Sequence, residues 1–350
     1  MAEKMKQYMR EQMECWESIL RQPLSPGAGW NPDWKETKHL VLFGSGSSYY
    51  AGRIAAEFLK ACCGMRTTVL TPSELYGETR FWNPEETLMA ALSQSGKSVT
   101  TLDAMHFLKE QGFSVLAMTA DPASPIACQA DSHLEIACGE ETVGPKTKGM
   151  TATVLTLYQL GLSGLLGTRA QADAIRESLM RGAENGRINL ERAETFFEEN
   201  REFFTGADSL MILGDEAAFA SCQEGALKIL ETLYIPAQAL ELEEYTHGVQ
   251  NTIRPGQHHI LAASSEESSI RMERLNRYQQ QKGCENLLLT PAKTQGAGIL
   301  NLAHTGQAYT VFMELLPVFH VFSALGSEAL GINCDLPKFD DFYGVMDTKL

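Results

Sequence analysis

The chain has 350 residues, of which 44% are hydrophobic and 21% charged, a composition typical of a soluble globular protein with one large or two ordinary domains. Its formal net charge of −15 argues against nucleic acid as a partner, although local N–H groups can still bind an anionic substrate. We find no secretory leader, no membrane-length apolar run and no zinc-ligand spacing among the eight cysteines, so we expect a cytoplasmic protein with reduced thiols, no metal and no other cofactor.

The first predicted element is an N-terminal helix. Its apolar residues recur at helical spacing, namely Met5, Met9, Met13, Trp16 and Leu20. The plain interpretation is a helix that packs on the core or on a second subunit. Three prolines and two glycines between 21 and 34 are typical of a linker. We therefore assign residues 1–34 to an N-terminal helix and linker.

An alternation of apolar strands, polar loops and helices follows, which indicates a parallel sheet in an α/β fold. One predicted strand runs from His39 to Gly44 and is followed by a glycine- and serine-rich loop through Ser48. Another, Leu88 to Leu92, ends in the polar loop Ser93–Ser98, and a helix begins at Val99. Loops at the carboxyl ends of neighbouring parallel strands converge on one crevice, and N–H groups at helix N-termini bind anions. The two loops therefore predict a phosphate site.

The pattern repeats with an offset of about 170 residues, which indicates two α/β units of one design. The stretch Leu40–Gly44 matches Leu210–Gly214, and Ser93 matches Ser264. The expected boundaries are an α/β domain over 35–165, linking helices over 166–204, a second α/β domain over 205–335, and a C-terminal tail over 336–350.

The two copies differ in the charge of their loops. Where the first copy has serines and glycines, the second has carboxylates, namely Asp215, Glu216, Glu266 and Glu267. Carboxylates at close range repel a phosphate, so we expect only the first copy to bind one.

Other interpretations of the phosphate loops remain. Gly44–Ser48 partly resembles a dinucleotide-binding fingerprint, but Tyr49 replaces the third glycine and no acid follows the next strand. It is also compatible with a helix-capping turn that binds no ligand. A basic loop with Lys146 and Lys148 either closes over the phosphate or simply leads into the linking helix.

Candidate chemical groups lie in the second copy. Glu224, Lys228 and Glu231 share one face of a predicted helix, which on its own is most simply a Glu–Lys pair on a solvated surface. A carboxylate poised there by burial would instead serve as a general base. His247, which follows an acidic segment, is either a structural residue or a functional one on this reasoning.

The motifs together resemble a known family. Ser93-Gln-Ser-Gly96 and Gly46-Ser-Ser-Tyr49 are similar to the sugar isomerase (SIS) domain. From about Lys38 onward the chain resembles the isomerase half of glucosamine-6-phosphate synthase and the stand-alone fructosamine 6-phosphate deglycases. The resemblance implies two SIS subdomains, each a parallel sheet flanked by helices in a flavodoxin-like three-layer sandwich. Residues 35–165 would then be the phosphate-binding SIS domain, 205–335 the second SIS domain, and 336–350 a tail that closes the site.

The resemblance also implies roles for single residues. It places catalytic functions on Glu231 and on His247, which would open the sugar ring. In this family the histidine reaches a neighbouring subunit's site, so the expected partners are a phosphorylated sugar or amino sugar and a second copy of the chain. The implied substrate contacts are Gly46, Ser47, Ser48, Ser93, Gln94, Ser95 and Ser98.

Departures from the synthase pattern narrow the expected reaction. The family motif around His247 loses a glycine and a proline here. Phe342 or Tyr343 stands where the synthase has its imine-forming lysine, and Lys349 comes several residues later. No glutaminase domain is present in this sequence. The expectation is a deglycase that acts on a fructosamine 6-phosphate. The alternatives are a glucosamine-6-phosphate isomerase or deaminase and a non-catalytic sugar-phosphate-binding protein.

Overall fold

The structure is a computed structural model that describes residues 2–22, 36–164, 168–339 and 341–350. Most of the predicted linker, and residues 165–167 at the predicted domain boundary, lie outside this part. Contacts among the described residues divide the chain into two compact units. We call them the first-sheet unit (14–142, 148–176 and 337–350) and the second-sheet unit (2–13, 143–147 and 177–336).

The N-terminal helix α1 (Glu3–Arg21) confirms the prediction for this segment. All five residues of the predicted apolar stripe, from Met5 to Leu20, are buried, with no more than 4% of any residue exposed. The indole N–H of Trp16 donates a hydrogen bond to Thr151 Oγ1 at 2.8 Å, so the buried polar end of this large side chain has a partner.

The first-sheet unit is built on a five-stranded parallel sheet with the order β2-β1-β3-β4-β5. The strands are β1 (His39–Phe43), β2 (Arg66–Leu70), β3 (Thr87–Leu92), β4 (Ser114–Thr119) and β5 (Ser132–Glu135). The helices are α2 (Ser47–Ala61), α3 (Pro72–Glu78), α4 (Val99–Glu110), α5 (Pro125–Gln129) and α6 (Lys148–Gly164), with short 3-10 helices at Thr79–Phe81 and Pro84–Glu86.

Helix α7 (Arg169–Glu199) continues from the first-sheet unit into the second-sheet unit, whose parallel sheet has the order β7-β6-β8-β9-β10. Its strands are β6 (Leu210–Gly214), β7 (Ala237–Glu241), β8 (His258–Ala262), β9 (Glu285–Thr290) and β10 (Ile299–Asn301). Its helices are α8 (Arg201–Thr205), α9 (Glu216–Leu233), α10 (Leu242–Thr246), α11 (Glu266–Gln281) and α12 (Val311–Ala329), with 3-10 helices at Val249–Thr252 and Ala308–Thr310. A last helix, α13 (Phe342–Val345), belongs to the C-terminal tail.

The two sheets have the same strand order, which is the flavodoxin-like order. This confirms the predicted fold class and the internal repeat. The register corrects one detail of the repeat. Val41 pairs with Met89, and the equivalent Met211 pairs with His259. Ser93 is therefore equivalent to Ala263, one residue before the match made from the sequence.

A glycine brings the ends of two central strands together in the first-sheet unit. A Cβ added at Gly44 would lie 2.7 Å from the carbonyl oxygen of Leu92 and 3.1 Å from Ser48 Cβ. Only glycine therefore allows the loop after β1 to run this close to the end of β3. The close approach places the two predicted phosphate loops side by side.

Helix α12 packs against α9 in the core of the second-sheet unit. Gly225 makes the packing possible, because a Cβ there would lie 2.6 Å from the Phe319 ring. Contrary to the sequence expectation, the 22-residue segment Ala308–Ala329 is long and apolar enough to cross a membrane by those two criteria. However, 83% of its most apolar window is buried within the fold. That burial is typical of a core helix.

Candidate functional site

The first predicted phosphate loop leads into helix α2. Gly46 occupies the N-cap position with φ 58°, a conformation that side-chain-bearing residues rarely adopt, and no side chain caps the helix. Ser47 and Ser48 lie half-buried in the first turn. The loop thus presents two hydroxyl-bearing residues at an uncapped helix N-terminus, where an anion is favoured.

The second loop, Ser93–Ser98, is tightly folded. Ser93 is 6% exposed and its carbonyl accepts the N–H of Gly96 at 2.9 Å, whereas Ser95 is exposed. Gly96 has φ +63°, and a Cβ there would lie only 2.0 Å from Ser124 Oγ. Ser98 is the N-cap of α4, and its Oγ accepts the Thr101 N–H at 3.4 Å. The loop is therefore fixed before any ligand binds, with Ser95 facing solvent.

Gln94 has a different environment from that of the neighbouring serines. Its amide nitrogen donates to Glu141 Oε2 at 3.2 Å. The same carboxylate, 7% exposed, accepts the N–H groups of Lys148 at 3.2 Å and Gly149 at 2.8 Å, and so caps helix α6. Glu141 thus links the second phosphate loop to α6, a role that sequence reasoning missed. Lys148 is itself 7% exposed in the first turn of α6, which favours the helix-entry interpretation for this lysine.

The C-terminal tail contacts the second loop through its backbone. The Leu350 N–H donates to the Lys97 carbonyl at 3.1 Å, and Val99 N–H donates to the Thr348 carbonyl at 3.3 Å. Lys349 therefore lies opposite Ser98, and its ammonium group stacks 4.0 Å from the centre of the Tyr343 ring. Closure of a site by this tail stays a prediction.

In the second-sheet unit the position equivalent to the first loop is occupied by an internal carboxylate. Asp215 is 8% exposed and accepts two backbone N–H groups, from Ala218 at 3.1 Å and Ser264 at 2.7 Å. These donors lie at the N-terminus of α9 and after β8. The equivalent positions in the first-sheet unit are in the two serine loops. The protein's own carboxylate thus satisfies the donors that an external anion would use. This supports the expectation that only the first sheet offers a phosphate site.

The acidic and basic face of α9 is buried, so its interpretation as a solvated ion pair is wrong. Glu224 and Lys228 are both 0% exposed, with Nζ and Oε1 3.4 Å apart. The Lys228 ammonium also donates a hydrogen bond to Glu231, whose side chain is 35% exposed. Burial alone lowers the pKa of Lys228, but the two carboxylates outweigh it and the pKa rises above its usual value. A fixed positive charge therefore accompanies the predicted catalytic carboxylate.

A buried histidine completes this cluster. His320 of α12 is fully buried, and neither of its ring nitrogens has a hydrogen-bond partner within the described residues. Burial, followed by the nearby charge of Lys228, lowers the pKa of His320 to about 3, so the ring is neutral near pH 7. Sequence reasoning placed Lys228 in a solvated pair and so missed its burial, and it missed His320 entirely. The available signals were a lysine three residues before Glu231 and a histidine within an otherwise apolar helix.

His247 lies in an exposed turn just after α10. Its Nδ1 is 2.8 Å from the Glu243 carbonyl, which can only accept, so Nδ1 carries the hydrogen and Nε2 is left to exchange a proton. The Glu243 carboxylate is bound by Arg271, and that hydrogen bond holds the pKa of Glu243 below its usual value. In the described part of the chain His247 shares no hydrogen bond or ion pair with Glu231.

The adjacent His258 and His259 do not act as a pair. His259 is fully buried with Nδ1 3.2 Å from Asn286 Oδ1, whereas His258 packs edge-on against Phe203. Among the residues that the structure describes, no group of three or more His, Cys, Asp or Glu side chains could hold a metal ion.

Comparison with known proteins agrees with this architecture. Residues 35–163 match the SIS domain family. The chain is 27% identical over 314 residues to the glutamine–fructose-6-phosphate aminotransferase (isomerizing) of Corynebacterium glutamicum, an alignment that covers 85% of this chain and 50% of that protein. The chain thus spans about half the length of the curated relatives it matches.

Two solved structures share the fold over nearly their whole length. The C-terminal domain of glucosamine–fructose-6-phosphate aminotransferase from Francisella tularensis superposes with a TM-score of 0.80 at 20% identity, covering 95% of this chain and 98% of that one. Glucosamine-6-phosphate deaminase from Thermotoga maritima gives 0.75 at 18% identity, covering 96% and 97%. The resemblance drawn from the motifs is confirmed to this extent: residues 35–163 match the SIS domain family, and the chain has the double-sheet fold of these two solved structures.

Proposed function

We propose that the protein is a phosphosugar-processing enzyme, specifically a deglycase that converts a fructosamine 6-phosphate and water into glucose 6-phosphate and an amine or amino acid. The observation that carries the proposal is the partly exposed Glu231 carboxylate, held by the buried ammonium of Lys228. A solvated surface pair would not need a fully buried lysine. A carboxylate fixed in this way is suited to move a proton between carbon atoms.

In the proposed reaction the substrate already carries its amine on C1, so no lysine is needed to form an imine. His247 would help to open the ring through Nε2. Glu231 would remove a proton from C1 of the ketosamine, giving an enolamine, and return a proton to C2, giving an imine at C1. Water would then add to C1, and the C–N bond would break to release the amine and leave the aldehyde of glucose 6-phosphate.

The serine loops of the first-sheet unit would bind the phosphate. The substrate contacts proposed there are Gly46, Ser47, Ser48, Ser93, Gln94, Ser95 and Ser98. Anchoring the substrate far from C1 supplies binding energy that positions the reacting carbons. The Gln94 amide donates to Glu141 in this structure, so a sugar contact would use its remaining hydrogen-bonding capacity.

Two variants test the two halves of this proposal. Glu231→Gln should reduce turnover at least about 100-fold while leaving binding of glucose 6-phosphate measurable by calorimetry. Ser95→Ala should weaken binding of glucose 6-phosphate but not that of glucose. Full activity of the first variant would remove the glutamate from the mechanism, and equal losses for both sugars would refute the phosphate assignment.

The released product separates the deglycase from its main alternative. A screen of fructosamine 6-phosphates and glucosamine 6-phosphate should follow glucose 6-phosphate and ammonia at the same time. Glucose 6-phosphate release from the fructosamines supports the deglycase. Release of ammonia from glucosamine 6-phosphate alone would favour an isomerase or deaminase. Binding of all these compounds without turnover would favour a sugar-phosphate-binding protein.

We also propose a homodimer in which His247 serves the partner's site. Its exposed position leaves Nε2 available to a second copy of the chain. Mixing two inactive variants, His247→Ala and Glu231→Gln, should then restore activity, because some sites in mixed dimers combine an intact histidine with an intact glutamate. Failure of the mixture to regain activity, although the subunits exchange, would contradict sharing. The cytoplasmic location stays a prediction.

A further inference from the structure

The second-sheet unit contains a groove whose function the phosphosugar chemistry does not explain. A cavity of about 760 Å³ lies between α7 and the segment after β10. It is reached from the carboxyl ends of β8 and β9, since Glu266 and Pro291, which follow those strands, line it. Ligands of parallel α/β sheets characteristically bind at this end. The groove lies entirely within residues 185–304.

The walls of the groove are held in place by polar side chains spaced along α7. Asn185 Nδ2 donates to the Glu314 carboxylate at 3.2 Å, and Asn189 exchanges hydrogen bonds with the backbone of Ala303 at 2.9 and 2.7 Å. One turn further, Arg192 Nη1 donates to the Asn301 carbonyl at 2.9 Å. Three side chains at helical spacing thus fasten α7 to α12, to the segment after β10 and to the end of β10 itself. A groove fastened in this way is largely preformed, as small-molecule sites usually are.

Polar groups next to the groove are also held in place. Glu314 is 4% exposed, and its carboxylate accepts the Thr305 N–H at 2.7 Å. His304 lines both the groove and a small adjoining cavity that reaches Glu314. Its Nε2 lies 3.8 Å from Glu266 Oε1, and its buried Nδ1 has no hydrogen-bond partner among the described residues.

The charged side chains that line the groove balance in number. Arg192 and Lys293 are cationic, and Glu199 and Glu266 are anionic. Of these, Arg192, Lys293 and Glu199 form no ion pair with any residue in the described part of the chain. A phosphosugar is a dianion without a positive group, so it would leave the two carboxylates of the groove unmatched. A ligand with one positive and one negative group matches both kinds of side chain.

We propose that this groove binds a free α-amino acid in its zwitterionic form. The α-carboxylate pairs with Arg192 or Lys293, and the α-ammonium pairs with Glu199 or Glu266. The side chain of the amino acid lies along the apolar part of the wall, where Phe196, Ile299 and Leu302 line the groove. The residues of this site are different from those of the serine loops, and the site does not depend on the proposed reaction.

The test uses isothermal titration calorimetry on the full chain with L-alanine, L-serine and L-glutamine. At least one should bind saturably, and N-acetylation of that amino acid, which removes its positive charge, should weaken binding at least about tenfold. Arg192→Met should weaken binding by a similar factor. The matched control is Arg181→Met, because Arg181 lies on the same helix, is exposed and is paired with Glu177 outside the groove. This variant should bind the amino acid like the unmodified protein.

Several results would overturn the proposal. The proposal fails if none of the three amino acids binds saturably, if the N-acetylated form binds with equal affinity, or if the two arginine variants lose equal affinity for the amino acid. Displacement of the amino acid by glucose 6-phosphate would also overturn it, because it would assign the groove to phosphosugars. None of these measurements requires turnover. Failure of the deglycase proposal therefore leaves the result for the groove unaffected.

Discussion

Replacing Lys228 by methionine perturbs a fully buried pair of charged groups. In Lys228→Met the carboxylate of Glu224, which is 0% exposed, loses an ammonium group 3.4 Å away. At that distance an effective dielectric constant of about 20 gives an attraction of about 5 kcal/mol. Measured losses on breaking one side of a buried pair are about 3–5 kcal/mol. Glu231 adds little to the loss, because its side chain is 35% exposed and can be rehydrated.

The assay is urea denaturation followed by circular dichroism. Lys228→Met should lose about 3–5 kcal/mol, a large part of the stability of an ordinary protein. Adding Glu224→Gln to this variant should recover most of the loss, since the buried carboxylate is then removed. The matched control is Arg181→Met, which breaks an exposed pair of the same i,i+4 spacing and should cost less than about 0.5 kcal/mol.

The stability of the double variant separates this reasoning from a general sensitivity of α9 to mutation. If the double variant is as unstable as Lys228→Met, then lost packing rather than an uncompensated charge explains the effect. If Lys228→Met is as stable as the control, the buried pair contributes nothing and the electrostatic argument fails. Both results are read from the same set of unfolding curves.

Three further predictions concern other parts of the molecule. Gly96→Ala adds a Cβ 2.0 Å from Ser124 Oγ, so it should weaken glucose 6-phosphate binding in calorimetry. The control is Gly64→Ala, which has φ +64° and nothing within 4 Å of the added Cβ. It shares the backbone strain of about 1–3 kcal/mol but should bind glucose 6-phosphate normally. Glu141→Gln removes the charge from the cap of α6 and should lower the free energy of unfolding in urea by about 1–2 kcal/mol. It should also raise KM more than it lowers kcat. Equal effects on both constants would contradict a positioning role. The pKa of His320 is about 3 when folded and 6.5 when unfolded, so the unfolded chain binds the extra proton between these values and stability falls as pH drops below about 6.5. His320→Phe should reduce the loss of stability between pH 6 and 5 by about 1.2 kcal/mol in unfolding curves. An unchanged slope would contradict the assignment.

The sequence predicts the fold well, because the fold depends on local patterns. The strand beginning at His39 and the helix beginning at Val99 follow from apolar runs and polar loops, and both are confirmed. The equal strand order of the two sheets follows from the repeat. The one-residue difference at Ser93 arises because a gap in a sequence match cannot be placed without the hydrogen-bonded register.

The site is less predictable, because burial is not a local property. The spacing of Glu224, Lys228 and Glu231 is the same in a solvated ion pair and in a buried cluster. Only the packing of α12, which fits closely against Gly225, distinguishes the two. Glu141 presents the same difficulty, since its contacts with Gln94 and the start of α6 depend on tertiary structure.

The difference between the two sheets is the strongest argument for placing the phosphate in the first. Net charge alone is not decisive, because a phosphate responds to the donors within a few ångströms. In the second sheet, Asp215 already accepts the N–H groups of Ala218 and Ser264. A phosphate there would have to displace a buried carboxylate and would meet its charge. In the first sheet the corresponding loop carries Ser45, an exposed residue with no charge. The exchange of Ser45 for Asp215 at equivalent positions is therefore a physical reason to expect that the two copies of one fold differ in their preference for an anion.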